Sequence, residues 1–494
     1  MNGGMPDAES RIERAEIDRS LRGPVLFFFS SGVAWLLVGS LLGLLAAWKM
    51  VFPGLLDSAD WLTFGRVRPA HLNIVIYGWA SAVGMGVGIW LMARLCRVAL
   101  RHRALLVASG VVWNVGVAAG TVGILCGQSR SIEWLEFPGW ATPILFLGYA
   151  LVGAWGVIMF RYRRPGHVYV SQWYLLAAFL WFPWLYATAN ILLIWRPVAG
   201  SVVGAVNWWY GHNILGLWFT PIGLASAYYM IPKVLGRPVH SYYLAIIGFW
   251  ALALFYSWNG MHHLIGGPFP AWMVSASVVA SVMMFVPVIA VAINHHLTMR
   301  GHFHYLKWSP TLRFTVFGAM TYTAVSFQGS LMALPAVNNL THFTDYTVGH
   351  AHLGLYGFFT MTMFGAMYYI VPRLVGWEWP SARMIRWHFW LAASGIALMF
   401  ATLTLGGFVQ GLELNDPQSA FMSSVAVAAP FRFVRGLAGF LLMAAHLVFA
   451  VLFVRMLLRR GERREEATLL ARVEDSATAR TEPRPPEGGG ITAV

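Results

Sequence analysis

Histidine is the residue type in this sequence best suited to chemistry, and there are 16 of them. In Gly349-His350-Ala351-His352, the two imidazoles point about 200° apart around a helix, so each could bind a separate flat cofactor. The adjacent His262 and His263 are about 100° apart and could converge on one ion. Six histidines are candidate ligands: His71, His212, His262, His263, His350 and His352.

His212 could supply a third ligand to the ion held by the adjacent pair, and three imidazoles with an open position suit copper or zinc. His71 remains as a partner for His350 or His352 across a haem. Three axial ligands shared by two haems would leave one iron with an open face. Outside this set, His446 lies alone in an apolar run and is predicted to be a hydrogen-bonded packing residue.

Composition narrows the class of protein that positions these groups. Of 494 residues, 58% are hydrophobic and 11% are charged, against about 25% charged in a typical soluble domain. This excludes a disordered chain, argues against a soluble multidomain enzyme, and favours a polytopic membrane protein. The formal charge of +14 then indicates basic cytoplasmic loops instead of a nucleic-acid surface. Cys96 and Cys126 form no Cys-x-x-Cys-His motif, so we expect packing roles and no attached c-type haem.

Runs of roughly 20 apolar residues predict transmembrane helices, and twelve occur. The predicted spans are 24–52, 69–95, 104–126, 138–160, 170–195, 203–232, 241–265, 270–296, 311–333, 346–372, 386–409 and 433–458. We expect an all-α membrane protein with a twelve-helix domain over 23–459. A polar cytoplasmic segment, 1–22, would precede it; it lacks the composition of a cleavable signal peptide. A disordered cytoplasmic tail, 460–494, would follow it.

Basic residues orient these spans. The loops after the even-numbered spans hold most of the Arg and Lys residues, which places both termini in the cytoplasm. All six histidines then lie in the outer third of the membrane, an alignment that packing alone would have to produce by chance. Five basic residues are exceptions on the outer side: Arg66, Arg68, Arg196, Arg432 and Arg435.

Around these histidines the sequence resembles subunit I of haem–copper oxidases, specifically the C family, the cbb(3)-type cytochrome c oxidases. The resemblance covers nearly all of residues 20–460. The segments that carry it are RVRPAHLN at 66–73, WWYGHN at 208–213, YSWNGMHH at 256–263 and the stretch 342–352.

The resemblance implies a role for each ligand. His71 and His352 would bind a low-spin haem b from its two faces, and His350 would bind a high-spin haem on one face. A copper ion facing that haem would be bound by His212, His262 and His263. The cofactors would thus be two b-type haems and one copper, reducing O₂ to water. Membrane-anchored cytochrome c subunits would donate the electrons, and turnover would drive proton translocation.

Nitric oxide reductases share this superfamily and are the alternative function. Most oxidases of the superfamily have Tyr four residues after the sixth-span His, and the best-known reductases have Glu there. This chain has Gly216 at that position. The C family places the Tyr in the seventh span, where this chain has Tyr256, about 9 Å of helix rise from His262. Both observations favour oxygen, with Tyr256 as the catalytic residue that supplies an electron and a proton.

Three further positions are expected to surround the haems. Where the C family has a carboxylate in the ninth span, this chain has Gln328, which can hydrogen-bond a ligand or a water but cannot carry a proton. We predict that it tunes the site, and it keeps the reductase alternative open. On the outer side, Arg66 and Arg68 are predicted to contact haem propionates.

Protons for the reaction must cross most of the membrane without carboxylates, because no Glu occurs in the middle of a predicted span. Hydroxyls, amides and waters would form the path. Ser241 starts about 22 Å of helix rise below the predicted catalytic Tyr. The polar positions that match the family's proton path are Ser241, Tyr242, Asn294 and Tyr322.

Twelve spans alone would also fit a transporter or channel. That class of protein would leave the histidine cluster unexplained. Absorption spectra distinguish the classes, since the absence of b-type haem would exclude both the oxidase and the reductase.

Overall fold

The structure is a computed structural model that describes residues 6–463, with side chains described from residue 12. Within this range every long element is helical. Twelve long helical segments follow one another: α1 (Pro6–Lys49), α2 (Phe64–Cys96), α3 (Arg103–Leu125), α4 (Thr142–Arg161), α5 (Val170–Trp195), α6 (Val202–Leu235), α7 (Tyr242–Tyr256), α8 (Ala271–Met299), α9 (Pro310–Met332), α10 (Asp345–Val375), α11 (Ala382–Asn415) and α12 (Phe421–Leu457).

The predicted all-α membrane architecture is confirmed. Eleven of the segments are long and apolar enough to cross a membrane, and α9 is not among them. Its apolar residues are interrupted by hydroxyl and amide side chains, among them Thr321, Ser326 and Gln328. The helix is nevertheless as long as α3, so the count of twelve long segments agrees with the sequence.

Two helices begin more than ten residues before their predicted starts. Helix α1 begins at Pro6, so the described part of the predicted segment 1–22 continues the first span as one helix. Helix α12 begins at Phe421, twelve residues before the predicted start at 433. In α1 a window of apolar residues misses the first turns because they contain many charged residues, which a helix tolerates outside the hydrocarbon layer. The added turns of α12 are mostly apolar and contain Pro430 and Arg432. Residues 464–494 of the predicted tail lie outside the described range.

Three helices form the centre of the bundle. The apolar windows of α2, α6 and α10 are 94%, 83% and 94% buried, whereas those of the other eight candidate spans are at most 50% buried. The nine other long helices therefore surround three central ones. These three contain His71, His212 and the pair at positions 350 and 352, so the bundle buries the predicted ligands at its middle.

Each central helix becomes π-helical directly after its ligand. The π-helical stretches are Ile74–Ala80 in α2, Leu215–Phe219 in α6 and Leu353–Thr360 in α10. They begin three, three and one residue after the nearest predicted ligand. Long π-helical turns are rare and frequently mark functional sites, because the wider turn changes the direction of the side chains around it.

The seventh span does not continue as an α-helix to its histidines. Helix α7 ends at Tyr256, and His262 and His263 lie on a separate 3₁₀ turn, Met261–Leu264. The predicted helix rise between Tyr256 and His262 is therefore wrong. The chain bends at Gly260, whose φ of +115° favours glycine and where a Cβ atom would lie 2.6 Å from the Trp208 carbonyl oxygen.

Candidate active site

The structure brings three predicted ligands together at one end of the bundle. One nitrogen from each of His212, His262 and His263 lies within 4.8 Å of the other two. Their ring centroids are 4.9, 5.6 and 4.5 Å apart in the three pairs. These neutral imidazoles, together with an open position, are a donor set that fits a copper or zinc ion.

Neighbouring groups fix the orientation of these rings. The Nδ1 atom of His262 lies 3.0 Å from the Ser281 hydroxyl and 3.3 Å from that of Ser277, which leaves its Nε2 for a metal. The His263 ring stacks on Trp208 at 4.1 Å. The Nδ1 atom of His212 is buried and has no hydrogen-bond partner among the described residues. A metal ion would satisfy that buried nitrogen.

Tyr256 lies beside this group. Its ring centroid is 4.6 Å from that of His212. A Cβ atom built on Gly216 would overlap the Tyr256 ring. Tyr256 therefore occupies the space that a side chain at position 216 would need, and the glycine is required for the tyrosine to reach this place.

The three other histidines share one hydrogen-bonding arrangement. The Nδ1 atom of His71 donates to the Gly39 carbonyl oxygen at 2.7 Å, and that of His352 donates to the Val348 carbonyl oxygen at 2.8 Å. The Nδ1 atom of His350 lies 3.2 Å from the Gln328 Oε1 atom. When Nδ1 carries the proton, Nε2 is free to bind a metal, as haem iron requires.

Electrostatic proximity divides these histidines into two groups. His352 and His71 lie close enough to interact with each other, whereas His350 interacts with His212 and the adjacent pair. Space around the rings is kept by glycines. A Cβ atom on Gly43 would overlap the His71 ring. The residues present thus fit two haem sites, one of them facing the three-histidine group.

Gln328 has only one of its polar atoms paired. Its carbonyl oxygen accepts from His350, while its Nε2 atom is buried without a partner in the part of the chain that the structure describes. A neutral amide at this position leaves the imidazole less electron-rich than a carboxylate would, because a carboxylate draws the Nδ1 proton more strongly.

The two predicted propionate contacts are largely engaged elsewhere. Arg66 donates to the Leu125 carbonyl oxygen at 3.1 Å. Arg68 forms a 2.8 Å ion pair with Glu133, and its Nη1 lies 3.9 Å from Glu136. The guanidinium of Arg68 is 45% exposed, which leaves room for a further anion.

Arg435 was not among the predicted site residues, although it stood out as a basic residue on the outer side. It interacts electrostatically with His71 and His352, and its buried Nε atom has no partner among the described residues. Nearby, Arg432 forms a 2.8 Å ion pair with the buried Asp345. An unpaired guanidinium nitrogen beside two haem-type ligands fits a propionate carboxylate.

Glu136 is an ionisable group in the loop between α3 and α4. Burial raises the pKa of its carboxyl to about 7, and the nearby Glu133 carboxylate adds to the shift. A hydrogen bond from Asn73, at 2.9 Å, and the charge of Arg68 oppose it. The carboxyl therefore titrates near neutral pH in the folded chain.

The predicted proton path is placed on one side of the bundle. Asn294 and Ser241 exchange two hydrogen bonds through the serine backbone, of 3.0 and 2.7 Å. Tyr242 donates to the Val168 carbonyl oxygen at 2.9 Å. Tyr322 is 3% exposed and interacts electrostatically with Tyr256, so it connects this region with the three-histidine group.

Sequence reasoning missed three residues of this region. Tyr228 interacts with both Asn294 and Tyr322. Its ring lies 4.9 Å from that of His295 and 6.1 Å from that of Tyr174. The Tyr174 hydroxyl and both His295 nitrogens are buried and lack partners in the described chain. Buried polar groups without protein partners indicate water positions. The sequence offered one signal for this region, the location of Tyr228 on the same span as His212.

Comparisons with known proteins agree with this geometry. The family model described as Cytochrome C and Quinol oxidase polypeptide I matches residues 23–441. The Cbb3-type cytochrome c oxidase subunit CcoN1 of Stutzerimonas stutzeri is 33% identical, over 85% of this chain and 91% of that protein. The Cytochrome c oxidase subunit 1 homolog, bacteroid, of Bradyrhizobium diazoefficiens is 32% identical, over 87% of this chain and 81% of that protein.

Two weaker similarities complete the comparison. A nitric oxide reductase polypeptide of Stutzerimonas stutzeri is 29% identical over only 47% of this chain and 51% of that protein. A solved heme-copper terminal oxidase dimer has the same fold, with a TM-score of 0.73 over 92% of this chain and 87% of that one, at 15% identity. From its match to the family model and its oxidase relatives, we conclude that the chain belongs to the subunit I family of haem–copper oxidases, the enzyme family of cytochrome c oxidase.

Proposed function

We propose that this oxidase subunit reduces O₂ to water at a high-spin haem b bound by His350 and a copper ion bound by His212, His262 and His263. The observation that supports this best is Tyr256, which lies 4.6 Å from the His212 ring in the space left by Gly216. An oxygen-reducing site needs this hydroxyl, and the position used by a reductase carboxylate is occupied by its ring. When bound, the iron and copper supply the redox chemistry that splits O₂.

The protein residues would position the cofactors and supply protons to the oxygen site. His71 and His352 present their Nε2 atoms to the low-spin haem b, because backbone carbonyls accept from their Nδ1 atoms. Arg435 and the exposed face of Arg68 would hold propionates. Tyr256 would donate its phenolic proton and an electron at the oxygen site. The electron would be restored from the cytochrome c donor and the proton through Tyr322.

Protons reach Tyr322 from the end of the bundle that carries the basic loops. Ser241 and Asn294 form the entrance, and Tyr228 bridges Asn294 and Tyr322. Because Tyr242 anchors the entrance to the Val168 carbonyl, Tyr242→Phe should slow turnover and leave haem content unchanged. Unchanged turnover would remove Tyr242 from the path.

The remaining features of the complex are also proposals. Both termini would face the cytoplasm of a bacterial cell and the histidine cluster would lie near the outer face of the inner membrane, since basic loops stay inside. Electrons would arrive from membrane-anchored cytochrome c subunits. Proton translocation would accompany turnover.

The test uses the complex purified with its native partners. We expect two haems b and one copper per chain, and O₂ consumption with reduced cytochrome c that falls at least about a hundredfold in Tyr256→Phe. The control Tyr243→Phe removes a hydroxyl from a side chain of α7 that is 81% exposed, and it should keep the parent rate. Iron in place of copper, with NO reduced and O₂ ignored, would overturn the proposal in favour of a nitric oxide reductase.

A further inference from the structure

Two buried histidines lie outside the site described above, in the part of the bundle formed by α1, α10, α11 and α12. His446 is 3% exposed and His388 is fully buried. Each is hydrogen-bonded to a tyrosine of α10, at 2.9 Å for Tyr356 and 2.8 Å for Tyr368. The sequence predicted a packing role for His446, but packing alone does not require two histidine–tyrosine pairs along one helix.

The hydrogen bonds around His446 have a defined direction. The hydroxyl of Ser40 donates its proton to the Leu36 carbonyl oxygen at 2.6 Å. Its oxygen, 2.7 Å from the His446 Nδ1 atom, must therefore accept from that nitrogen. Because Nδ1 carries the proton of the neutral ring, Nε2 accepts from the Tyr356 hydroxyl.

Ser40 and Tyr356, the two partners of His446, lie close along the chain to the groups that hold the predicted low-spin haem ligands. Ser40 follows Gly39, whose carbonyl oxygen accepts from His71. Tyr356 follows His352 by four residues on α10. Its hydrogen-bond partners and short stretches of chain thus connect His446 with both predicted axial ligands. Among the described residues, His446 forms no hydrogen bond with either ligand.

The second pair extends toward the end of the bundle that bears the basic loops. Trp379, in the connection between α10 and α11, donates to the Tyr368 carbonyl oxygen at 3.0 Å. The His388 Nε2 atom is buried and has no partner among the described residues. The ring of Phe364 lies near both histidines, 4.4 Å from His388 and 6.3 Å from His446.

We propose that Tyr368, His388, His446, Tyr356 and Ser40 form a proton relay, separate from the path to Tyr256, in which His446 accepts a proton when the low-spin haem is reduced. The proposal rests on the proposed function only in requiring a haem between His71 and His352. An electron arriving there adds negative charge in a medium of low dielectric constant, which favours a proton on a nearby base.

The protonation step involves only O–H and N–H bonds. A proton from water reaches Tyr368, whose hydroxyl passes its own proton to Nδ1 of His388. The Nε2 proton of His388 then moves through a water at this otherwise unpaired buried nitrogen to Nε2 of His446, with which His388 interacts electrostatically. The Tyr356 hydroxyl then turns from donor to acceptor, and the Nδ1 proton keeps its hydrogen bond to Ser40. Oxidation of the haem reverses the step.

The experiment measures protonation directly on the holoenzyme, without turnover. Infrared difference spectra are recorded between the oxidised and the anaerobically reduced complex, with and without ¹⁵N-labelled histidine. We expect a label-sensitive histidine band in the parent and its loss in His446→Gln. Tyr356→Phe keeps the histidine and removes its hydrogen-bond donor, so the band should remain but shift. Tyr243→Phe, at a side chain of α7 that is 81% exposed, is the control and should match the parent.

A parent spectrum without this band, or an unchanged band in His446→Gln, would overturn the relay. Should His446→Gln fail to assemble with haem, Tyr356→Phe decides, since an unshifted band excludes the hydrogen-bonded pair. O₂ consumption is measured in parallel and should stay within about twofold of the parent in Tyr356→Phe. Absent O₂ consumption with a normal band would refute the proposed oxidase activity and leave the relay standing.

Discussion

Tyr256 and Gly216 depend on each other at the level of single atoms. The α-carbon of Gly216 lies against the tyrosine ring, with no space for a methyl group. A substitution at position 216 therefore acts on the Tyr256 hydroxyl, the proposed catalytic group, without changing any of the predicted metal ligands. This separates the position of Tyr256 from the binding of copper, which a histidine substitution cannot do.

Replacing Gly216 by Ala is expected to displace Tyr256 and to lower O₂ consumption about a hundredfold, because small misplacements of reacting groups have effects of this size. Haem absorbance and copper content should remain. The matched control is Gly204→Ala on the same helix, where the new methyl group would find its nearest neighbour, Phe269, at 3.5 Å. Equal rates in the two variants would contradict the steric argument.

The buried carboxyl of Glu136 should make the folding stability depend on pH. Its pKa in the folded chain is about 7, above the ordinary value of 4.5, so the folded state binds this proton more tightly than the unfolded state. Folding stability must then decrease as pH rises from about 4.5 to 7 and stay low above that range.

Glutamine resembles the neutral carboxyl, so Glu136→Gln removes this loss. Near pH 4 we expect the variant and the parent to melt at nearly the same temperature. As the pH rises to about 8, the melting temperature of the variant should increasingly exceed that of the parent, and its free energy of unfolding should become about 3 kcal/mol larger. Thermal melts of the purified complex check this. A gap between variant and parent that does not grow with pH would show that the carboxyl is ionised throughout.

At the scale of helices, the sequence predicted which segments exist better than it predicted how they end. The twelve apolar runs and the order of the six ligands followed from hydropathy and spacing. The break of α7 at Tyr256 could not be predicted, because it depends on Gly260 approaching the backbone of Trp208 on another helix. The same limit applies to Arg435 and Tyr228, whose roles arise only from contacts between distant segments.

The ion pair of Asp345 and Arg432 joins the first turn of α10 to α12. The two side chains are 7% and 13% exposed, so removing one partner leaves a buried charge, at a cost of about 3 kcal/mol. We expect Asp345→Ala to lower the melting temperature and to loosen the start of the helix that carries His350 and His352, which the absorption spectrum of the low-spin haem reports.

A double variant provides the control. Asp345→Ala combined with Arg432→Met removes both charges and should recover a large part of the lost stability. If it is as unstable as the single variant, the loss comes from the shape of the aspartate side chain instead of the ion pair, since Asp345→Ala keeps the backbone N–H that donates to Gln410.

At the scale of the whole molecule, orientation in the membrane can be tested with the two native cysteines. Cys126 is exposed at the end of α3 nearest the histidine cluster, whereas Cys96 is buried at the opposite end of α2. With both termini in the cytoplasm, a membrane-impermeant thiol reagent applied to cells with a permeabilised outer membrane should label Cys126. Cys126→Ser should abolish the labelling, and labelling that requires lysis of the inner membrane would reverse the orientation.

The arrangement of three central helices inside nine others limits when cofactors can be inserted during assembly. A haem is wider than the gaps between packed helices. The imidazoles predicted to bind the low-spin haem, those of His71 and His352, lie on central helices that the nine others surround. The cofactors must therefore be inserted while the outer helices are still open. Once the bundle has closed, a chain without haems would have to open again to acquire them.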